Sequence, residues 1–179
     1  PVIEIDGSTS PAGSAFTIDA GDSTVRALAI NQFTQHAIML QNQGNNTVQG
    51  VFVGTDATGT IERGIGNDGI HIRSSNNLIG GTSAIDRNVI ASSGDDGISI
   101  RDVTTVGNVV QGNYIGTDAT GTIDFGNAQH GITIRFGSTN NVVGGVGAGE
   151  GNLVAFNGAP GISLYADGGV VGHTIRGNT

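Results

Sequence analysis

An eight-residue segment occurs twice in this chain of 179 residues and differs at one position only. VGTDATGT occupies residues 53–60 and IGTDATGT occupies residues 115–122, 62 residues later. Other segments return at a similar distance, as NTVQG at 46–50 does in NVVQG at 108–112. Similarity at a fixed period is typical of chains that fold as stacks of similar units. We therefore interpret the chain as a repeat protein.

A shorter period divides the long one. An Asn-x-apolar-x-Gly pattern recurs at spacings of 31, 31, 33 and 32 residues, beginning at Asn46, Asn77, Asn108, Asn141 and, in degenerate form, His173. A Gly-Ile-x-Ile pattern recurs with it, beginning at Gly69, Gly97, Gly131 and Gly161. A third short apolar segment, such as NVIA or NYIG, comes between the two. Each unit therefore has about 31 residues and three short strands.

The alternation within these patterns predicts strands. Gly-Ile-x-Ile alternates with a period of two, which suits a strand with one buried face, and helical spacing is absent. Stacked units lie about 4.8 Å apart, so equivalent residues should form ladders inside the stack. We expect one ladder of Ile70, Ile98, Ile132 and Ile162 and a second of Ile72, Ile100, Ile134 and Leu164. Asn residues at the corners are expected to bond the backbone or to stack as amide ladders.

These patterns predict an all-β fold, a right-handed parallel β-helix solenoid of about five to six rungs. We assign residues 1–179 to one domain of this kind. The chain begins without an amphipathic cap and stops at HTIRGNT, the start of a rung, and an uncapped solenoid end exposes an unpaired strand edge. We therefore interpret the chain as a segment of a longer protein.

Composition excludes several classes of function. The net charge is −8 and the isoelectric point is near 4.6, which argues against a nucleic-acid partner. The chain has no run of about 18 apolar residues, so membrane insertion is not expected. It contains no Cys, which excludes disulfides and metal–thiolate sites. The 32 Gly residues and the 4% aromatic content indicate short strands, tight turns and an aliphatic core.

The repeat resembles that of a known group of proteins. NVVQGNYIGTDATGT, followed by GITI and NNVVGG, resembles the repeat of large bacterial secreted and cell-surface β-helix proteins in the pectate-lyase-like superfamily. The resemblance covers about residues 18–179. It implies an extracellular or cell-surface location and a non-catalytic structural or adhesive role. It also implies polysaccharide, or neighbouring β-helix segments of the same protein, as partners.

A column of polar residues precedes the Gly-Ile units and suggests an enzymatic function as the alternative to a structural role. NDGIHI, GDDGISI and QHGITI resemble, in order, the Asn-Thr-Asp-Gly, Gly-Asp-Asp-Cys and Gly-His-Gly motifs of polygalacturonase-type glycoside hydrolases. That resemblance implies Asp96 or Asp95 as general acid, Asp68 as a group that helps to activate water, and His130 as a residue that tunes them. The chain would then cleave acidic polysaccharide.

The same residues have a structural interpretation, because Asp and His are favoured in turns. The chain also departs from the hydrolase motifs. It has no Lys for the Arg-x-Lys pair that binds the sugar carboxylate, Gly97 replaces the Cys, and no Thr separates Asn67 from Asp68. We expect a shallow, solvent-open face on which Asp68 and Asp96 cap turns, and the enzyme remains the alternative.

A second column follows the same strand and consists of Arg73, Arg101, Arg135 and Tyr165. Stacked guanidinium groups repel one another unless an anion neutralises them. The anion would be Asp68, Asp96 or Asp102 of the chain itself, or a uronate or sulfate of a bound polysaccharide, which Arg binds in a bidentate manner. His71, which lies between Arg neighbours, is expected to be a solvated strand residue.

The duplicated Thr-Asp-Ala-Thr-Gly-Thr loops have two interpretations. Asp56 and Asp118 cap the turns by accepting backbone N–H groups, or they are ligands of Ca²⁺. Each loop has one carboxylate, whereas Ca²⁺ takes six to eight oxygen ligands, so turn capping is favoured. No cofactor is expected beyond this Ca²⁺ alternative. If alternate rungs stack regularly, the two loops lie about 10 Å apart.

Overall fold

The chain folds as a parallel β-helix. The computed structural model describes residues 1, 3–10 and 12–179, and the counts below refer to these residues. The eighteen strands found there are β1 (Ile3–Asp6), β2 (Phe16–Ile18), β3 (Thr24–Arg26), β4 (Leu28–Asn31), β5 (Ile38–Gln41), β6 (Thr47–Gln49), β7 (Phe52–Val53), β8 (Ile70–Arg73), β9 (Leu78–Gly80), β10 (Val89–Ile90), β11 (Ile98–Arg101), β12 (Val109–Gln111), β13 (Tyr114–Ile115), β14 (Ile132–Arg135), β15 (Val142–Gly144), β16 (Leu153–Val154), β17 (Ile162–Leu164) and β18 (Thr174–Arg176). The described part of the chain contains no helix that could span a membrane.

The described strands form three parallel sheets of six strands each. Successive strands enter the first, second and third sheet in turn, so three strands complete one rung and the stack has six rungs. The first sheet has the order β1-β4-β7-β10-β13-β16, the second β2-β5-β8-β11-β14-β17 and the third β3-β6-β9-β12-β15-β18. The predicted three-strand rung and the predicted number of rungs are confirmed.

The two aliphatic ladders occupy the second sheet. Ile98 pairs in register with Ile70 and Ile132, and Ile132 pairs with Ile162. The second ladder has the same register at Ile72, Ile100, Ile134 and Leu164. The Ile residues of rungs three to five are fully buried, whereas Ile162 is half-buried and Leu164 is 45% exposed, because the last rung has a neighbour on one side only. Burial of each Ile side chain stabilises the fold by about 1.5–3 kcal/mol.

Asparagine ladders hold the corners. In one ladder the side-chain Oδ1 of each Asn accepts the backbone N–H of the Asn one rung earlier, through Asn46, Asn77, Asn108 and Asn141. A second ladder joins the side chains of Asn88, Asn113, Asn152 and Asn178. Most of these amides are buried, so the ladders satisfy polar groups that would otherwise be costly. The predicted corner ladders are confirmed.

The stack begins earlier than the repeat in the sequence. β1 pairs with β4 ahead of the first recognisable unit, and Phe16 of β2 pairs with Ile38, only 22 positions later. The first rung is shorter because it lacks the long loops of later rungs. A 31-residue period therefore does not detect it.

Candidate functional site

The polar residues of the second sheet meet on its outer face. Asp68, Asp96 and His130 lie at the same position of successive rungs, just before β8, β11 and β14. Their side chains come together with those of His36, His71, Asp95 and Arg101, which we call the acidic cluster. The parallel register brings Asp68, Asp96 and His130 together, since each of these three precedes the same Gly-Ile unit.

Asp68 is at the centre of the acidic cluster and is only 1% exposed. Its Oδ1 accepts the backbone N–H of Asp96 on the next rung at 3.2 Å. Its Oδ2 lies 2.7 Å from Nδ1 of His71, 3.4 Å from Nδ1 of His36 and 3.7 Å from Nη2 of Arg101. One oxygen thus caps the next rung, while the other faces three nitrogen donors.

Asp96 repeats this capping one rung further on. Its Oδ1 accepts the backbone N–H of His130 at 3.1 Å and lies 2.9 Å from Nδ1 of the same residue. Its Oδ2 accepts the hydroxyl of Thr133. The Nε2 of His130 lies 3.1 Å from the hydroxyl of Tyr165. Each side chain therefore orients the next across three rungs.

The face is less open than the sequence suggested. Asp68 and Asp96 do accept backbone N–H groups, but both are buried. The prediction that His71 is solvated is wrong, because it is 5% exposed and its ring bonds to Asp68. The ring of His36 covers it, with the two centroids 4.4 Å apart. The period-two alternation predicts which face of the strand each side chain lies on. It does not predict which other side chains cover that face.

Asp95 differs from its two acidic neighbours in its electrostatics. Its carboxylate is half-buried, and one oxygen each from Asp68, Asp95 and Asp96 lie within 4.8 Å of one another. Burial raises the pKa of Asp95, and the negative charges of Asp96 and Asp68 raise it further, against the opposing effects of Arg101 and His130. Asp95 therefore retains a proton more readily than an ordinary aspartate does.

The arginine column has acidic partners within the chain. Nε of Arg73 lies 2.5 Å from Asp102, and Nε of Arg135 lies 3.6 Å from Asp167. Arg101 faces Asp68 and also donates to the hydroxyl of Ser99 at 2.6 and 2.9 Å. Of the three acids expected to neutralise the arginines, Asp68 and Asp102 do so. Arg135 pairs with Asp167, 32 residues further along the chain, and not with Asp96.

Sequence reasoning missed Phe136. Its ring is 41% exposed, and the guanidinium carbon of Arg135 lies 4.3 Å from its centroid and 4.8 Å from that of Tyr165. Arg101 approaches the same Phe136 ring at 5.7 Å. The signal was present in the sequence, because Phe136 occupies a position where the two preceding rungs have Ser74 and Asp102. We call Arg101, Arg135, Phe136 and Tyr165 the arginine–aromatic patch.

A groove of about 360 Å³ lies at the opposite end of the strands from Asp68 and Asp96. Gln41 and Arg73, the last residues of β5 and β8, line it together with Asn42, Asp102 and Thr104. The Arg73–Asp102 ion pair therefore forms part of the groove wall. The groove does not include Asp68, Asp95 or Asp96.

The duplicated loops are closed turns. Oδ1 of Asp118 accepts the backbone N–H groups of Thr122 and Ile123 at 3.1 and 3.0 Å, and Asp56 makes the equivalent bonds in its own loop. Burial raises the pKa of both carboxyls, but the hydrogen bonds outweigh it and leave each pKa below its ordinary value. The geometry is that of the capping interpretation.

The loops touch each other, in contrast to the expected separation of about 10 Å. The backbone N–H of Ala119 donates to the carbonyl of Gly59 at 2.9 Å. Gly59 has a φ of +74°, and a Cβ there would lie 2.5 Å from that of Ala119. The connection between β10 and β11, on the rung that separates the two loops, is shorter than the connections that contain the loops. The two longer loops can therefore meet across it. The repeated sequence therefore specifies a mutual contact.

The fold and these sites define the chain as a parallel β-solenoid with a polar outer strip on one sheet. No protein-family model, no curated protein and no solved structure matches the chain.

Proposed function

We propose that this chain is a non-catalytic structural and adhesive β-helix segment of an extracellular or cell-surface protein, and that its arginine–aromatic patch contacts acidic polysaccharide. The observation that carries the proposal is the capping role of Asp68 and Asp96. Each uses a carboxylate oxygen to bind the backbone N–H of the following rung. The extracellular location rests on the resemblance of the repeat.

The capping bonds favour a scaffold over an enzyme. A general base must reach water and substrate, whereas Asp68 is 1% exposed and Asp96 is 3% exposed. A Cβ at Gly97, which replaces the hydrolase Cys, would lie 2.7 Å from the carbonyl oxygen of Gly131. Close packing between rungs therefore explains why this position departs from the hydrolase motif.

The arginine–aromatic patch supplies the chemistry for binding. An exposed aromatic ring offers an apolar surface to a sugar ring, and a guanidinium group pairs with a carboxylate in a bidentate manner. Phe136 and Tyr165 are 41% and 38% exposed beside Arg135. The 3.6 Å separation between Arg135 and Asp167 marks a loose ion pair that a uronate carboxylate can replace.

The test is calorimetric titration of the protein with oligogalacturonates at low and moderate salt. We expect binding that weakens with salt and that falls about tenfold in Arg135→Ala, because a charge-assisted hydrogen bond is lost. Arg87→Ala is the matched control, since Arg87 packs on Tyr114 of the first sheet. Equal affinity in wild type and Arg135→Ala, or no binding of any acidic glycan, would contradict the patch assignment.

A polysaccharide hydrolase is the second candidate, and Asp95 favours it. A carboxyl group with a raised pKa, close to two further carboxylates, is suited to act as a general acid. We would measure reducing-sugar release from polygalacturonate by wild type and Asp95→Asn. Release that is lost in Asp95→Asn and kept in Asp167→Asn would replace the scaffold proposal with the enzyme.

A further inference from the structure

Two histidines and one carboxylate of the acidic cluster form a compact set of potential metal ligands. His36 and Asp68 stand at the same position of adjacent rungs, and His71 lies three residues beyond Asp68 on β8. One ligand atom from each lies within 4.8 Å of the other two. All three residues are more than nine-tenths buried, at 8%, 1% and 5% exposure.

The imidazole of His36 points to a missing partner. Its Nδ1 is buried and makes no hydrogen bond to any residue that the structure describes. It faces Oδ2 of Asp68 at 3.4 Å, beyond the usual range for an N–H···O bond. A buried polar atom without a partner carries a desolvation cost that a bound ion would remove.

We propose that His36, Asp68 and His71 bind a divalent transition-metal ion with the ligand preference of Zn²⁺. Imidazole nitrogen and carboxylate oxygen are ligands of such ions, and three protein ligands leave a fourth position for water. Ligands about 2.0–2.1 Å from a tetrahedral ion lie about 3.3 Å apart. The 3.4 Å distance between Nδ1 of His36 and Oδ2 of Asp68 matches this ligand–ligand distance. The 2.7 Å distance between Nδ1 of His71 and Oδ2 of Asp68 has to lengthen slightly when the ion binds.

The surroundings of Asp68 suit a ligand. Oδ1 is anchored by the backbone N–H of Asp96, so the carboxylate is oriented and Oδ2 is left to the ion. The ion takes the place of the hydrogen bond between His71 and Asp68, so a neutral His71 ring that binds the ion through Nδ1 carries its proton on Nε2.

The local charge also favours a cation. Arg101 lies 3.7 Å from Oδ2 of Asp68 and opposes binding. Asp95 and Asp96 each have a carboxylate oxygen within 4.8 Å of a carboxylate oxygen of Asp68. The carboxylates near the site are therefore more numerous than the one guanidinium group. Ca²⁺ is a poor fit, because it takes six to eight oxygen ligands and two of the three groups here are imidazoles.

The test is titration of chelator-treated protein, without a histidine tag, with ZnCl₂ in a calorimeter. We expect one site per chain, a rise in melting temperature with Zn²⁺, and no comparable effect of CaCl₂. His36→Gln should weaken Zn²⁺ binding at least about tenfold, as loss of one ligand does. It should leave the metal-free melting temperature nearly unchanged, because the His36 ring has no hydrogen bond at Nδ1 to lose.

His130→Gln is the matched control, since this histidine belongs to the same cluster but bonds to Asp96. Its affinity for Zn²⁺ should match that of the wild type. Titration with CoCl₂ gives a second measurement, because the visible d–d absorption bands of bound Co²⁺ report the coordination number and geometry at the site. The proposal is overturned if Zn²⁺ does not bind, if His36→Gln binds it as tightly as wild type, or if His130→Gln alone abolishes binding.

Discussion

At the scale of the residue, Ile98 shows what holds the stack together. It is fully buried and lies between Ile70 and Ile132, which pair with it on the rungs before and after. Both neighbours are themselves fully buried. A smaller residue at position 98 would therefore leave a cavity inside the ladder.

Ile98→Ala should lower the free energy of unfolding by about 2–5 kcal/mol, since it removes buried methyl groups and leaves a cavity. Chemical denaturation followed by circular dichroism measures the change. Ile85→Ala is the control, because Ile85 is 73% exposed, and its effect should stay within about 0.5 kcal/mol. Similar losses in the two variants would show that the ladder does not dominate stability.

Asp118 makes stability depend on pH. Its pKa in the folded chain lies below the ordinary value of 3.8, so its contribution is complete above that value and is lost as the pH falls through the folded pKa. Asp118→Ala should cost about 1–3 kcal/mol at about pH 6, because the backbone N–H groups of Thr122 and Ile123 lose a charged acceptor. Denaturant titrations of both proteins between about pH 6 and pH 2 should show this difference shrinking below about pH 4.

The same variant distinguishes capping from calcium binding. If Asp118 only caps its turn, CaCl₂ and chelators should leave the melting temperature of the wild type unchanged. A rise with Ca²⁺ that Asp118→Ala abolishes would show that the loop binds the ion instead.

At the scale of the element, the corner ladders act as continuous chains of amides. Asn113 accepts a hydrogen bond from Asn88 and donates to Asn152, so it is bonded on both sides. Asn178 ends the same ladder and bonds to Asn152 alone among the ladder members. The two positions share their chemistry and differ in their number of neighbours.

Asn113→Ala should therefore destabilise the fold more than Asn178→Ala does. We expect about 1–3 kcal/mol at position 113, where a buried donor on the earlier rung loses its acceptor. The loss at position 178 should be smaller, because that end is partly solvated. Thermal unfolding of the two variants makes the comparison, and equal losses would show that the ladder has no cooperative interior.

At the scale of the whole molecule, the stack is nearly one-dimensional, since each rung contacts its neighbours along one axis. Such solenoids have stabilities that combine contributions from rungs and from the interfaces between them. The strands of the last rung pair on one side only, and Leu164 and Ile175 there are 45% and 40% exposed. The interior rungs have neighbours on both sides.

Amide hydrogen exchange should accordingly be graded along the stack. Amides of the end strands, β1 to β3 and β16 to β18, should exchange fastest, because these strands pair on one side only. Those of β8 and β11 should exchange slowest, because protection follows local stability. Mass spectrometry of peptic fragments measures this profile. Uniform protection across all rungs would show that the chain opens only as a single unit.

The sequence by itself determined the repeating part of this protein. The 31-residue period places equivalent residues one above another, so the Ile ladders at Ile98 and Ile100, the Asn ladders and the column of Asp68, Asp96 and His130 were all predictable. Stacking depends on position within the unit, and period and alternation measure that position directly.

Only the tertiary structure decided which side chains are partners across the strip. The burial of His71 under His36, the pairing of Arg135 with Asp167, and the contact between Gly59 and Ala119 depend on loop lengths and side-chain directions that a period does not encode. A carboxylate such as that of Asp68 has several nitrogen donors within reach, and only the folded geometry selects among them. Position along a repeat is a local property, whereas the choice of a side-chain partner is a property of the assembled surface.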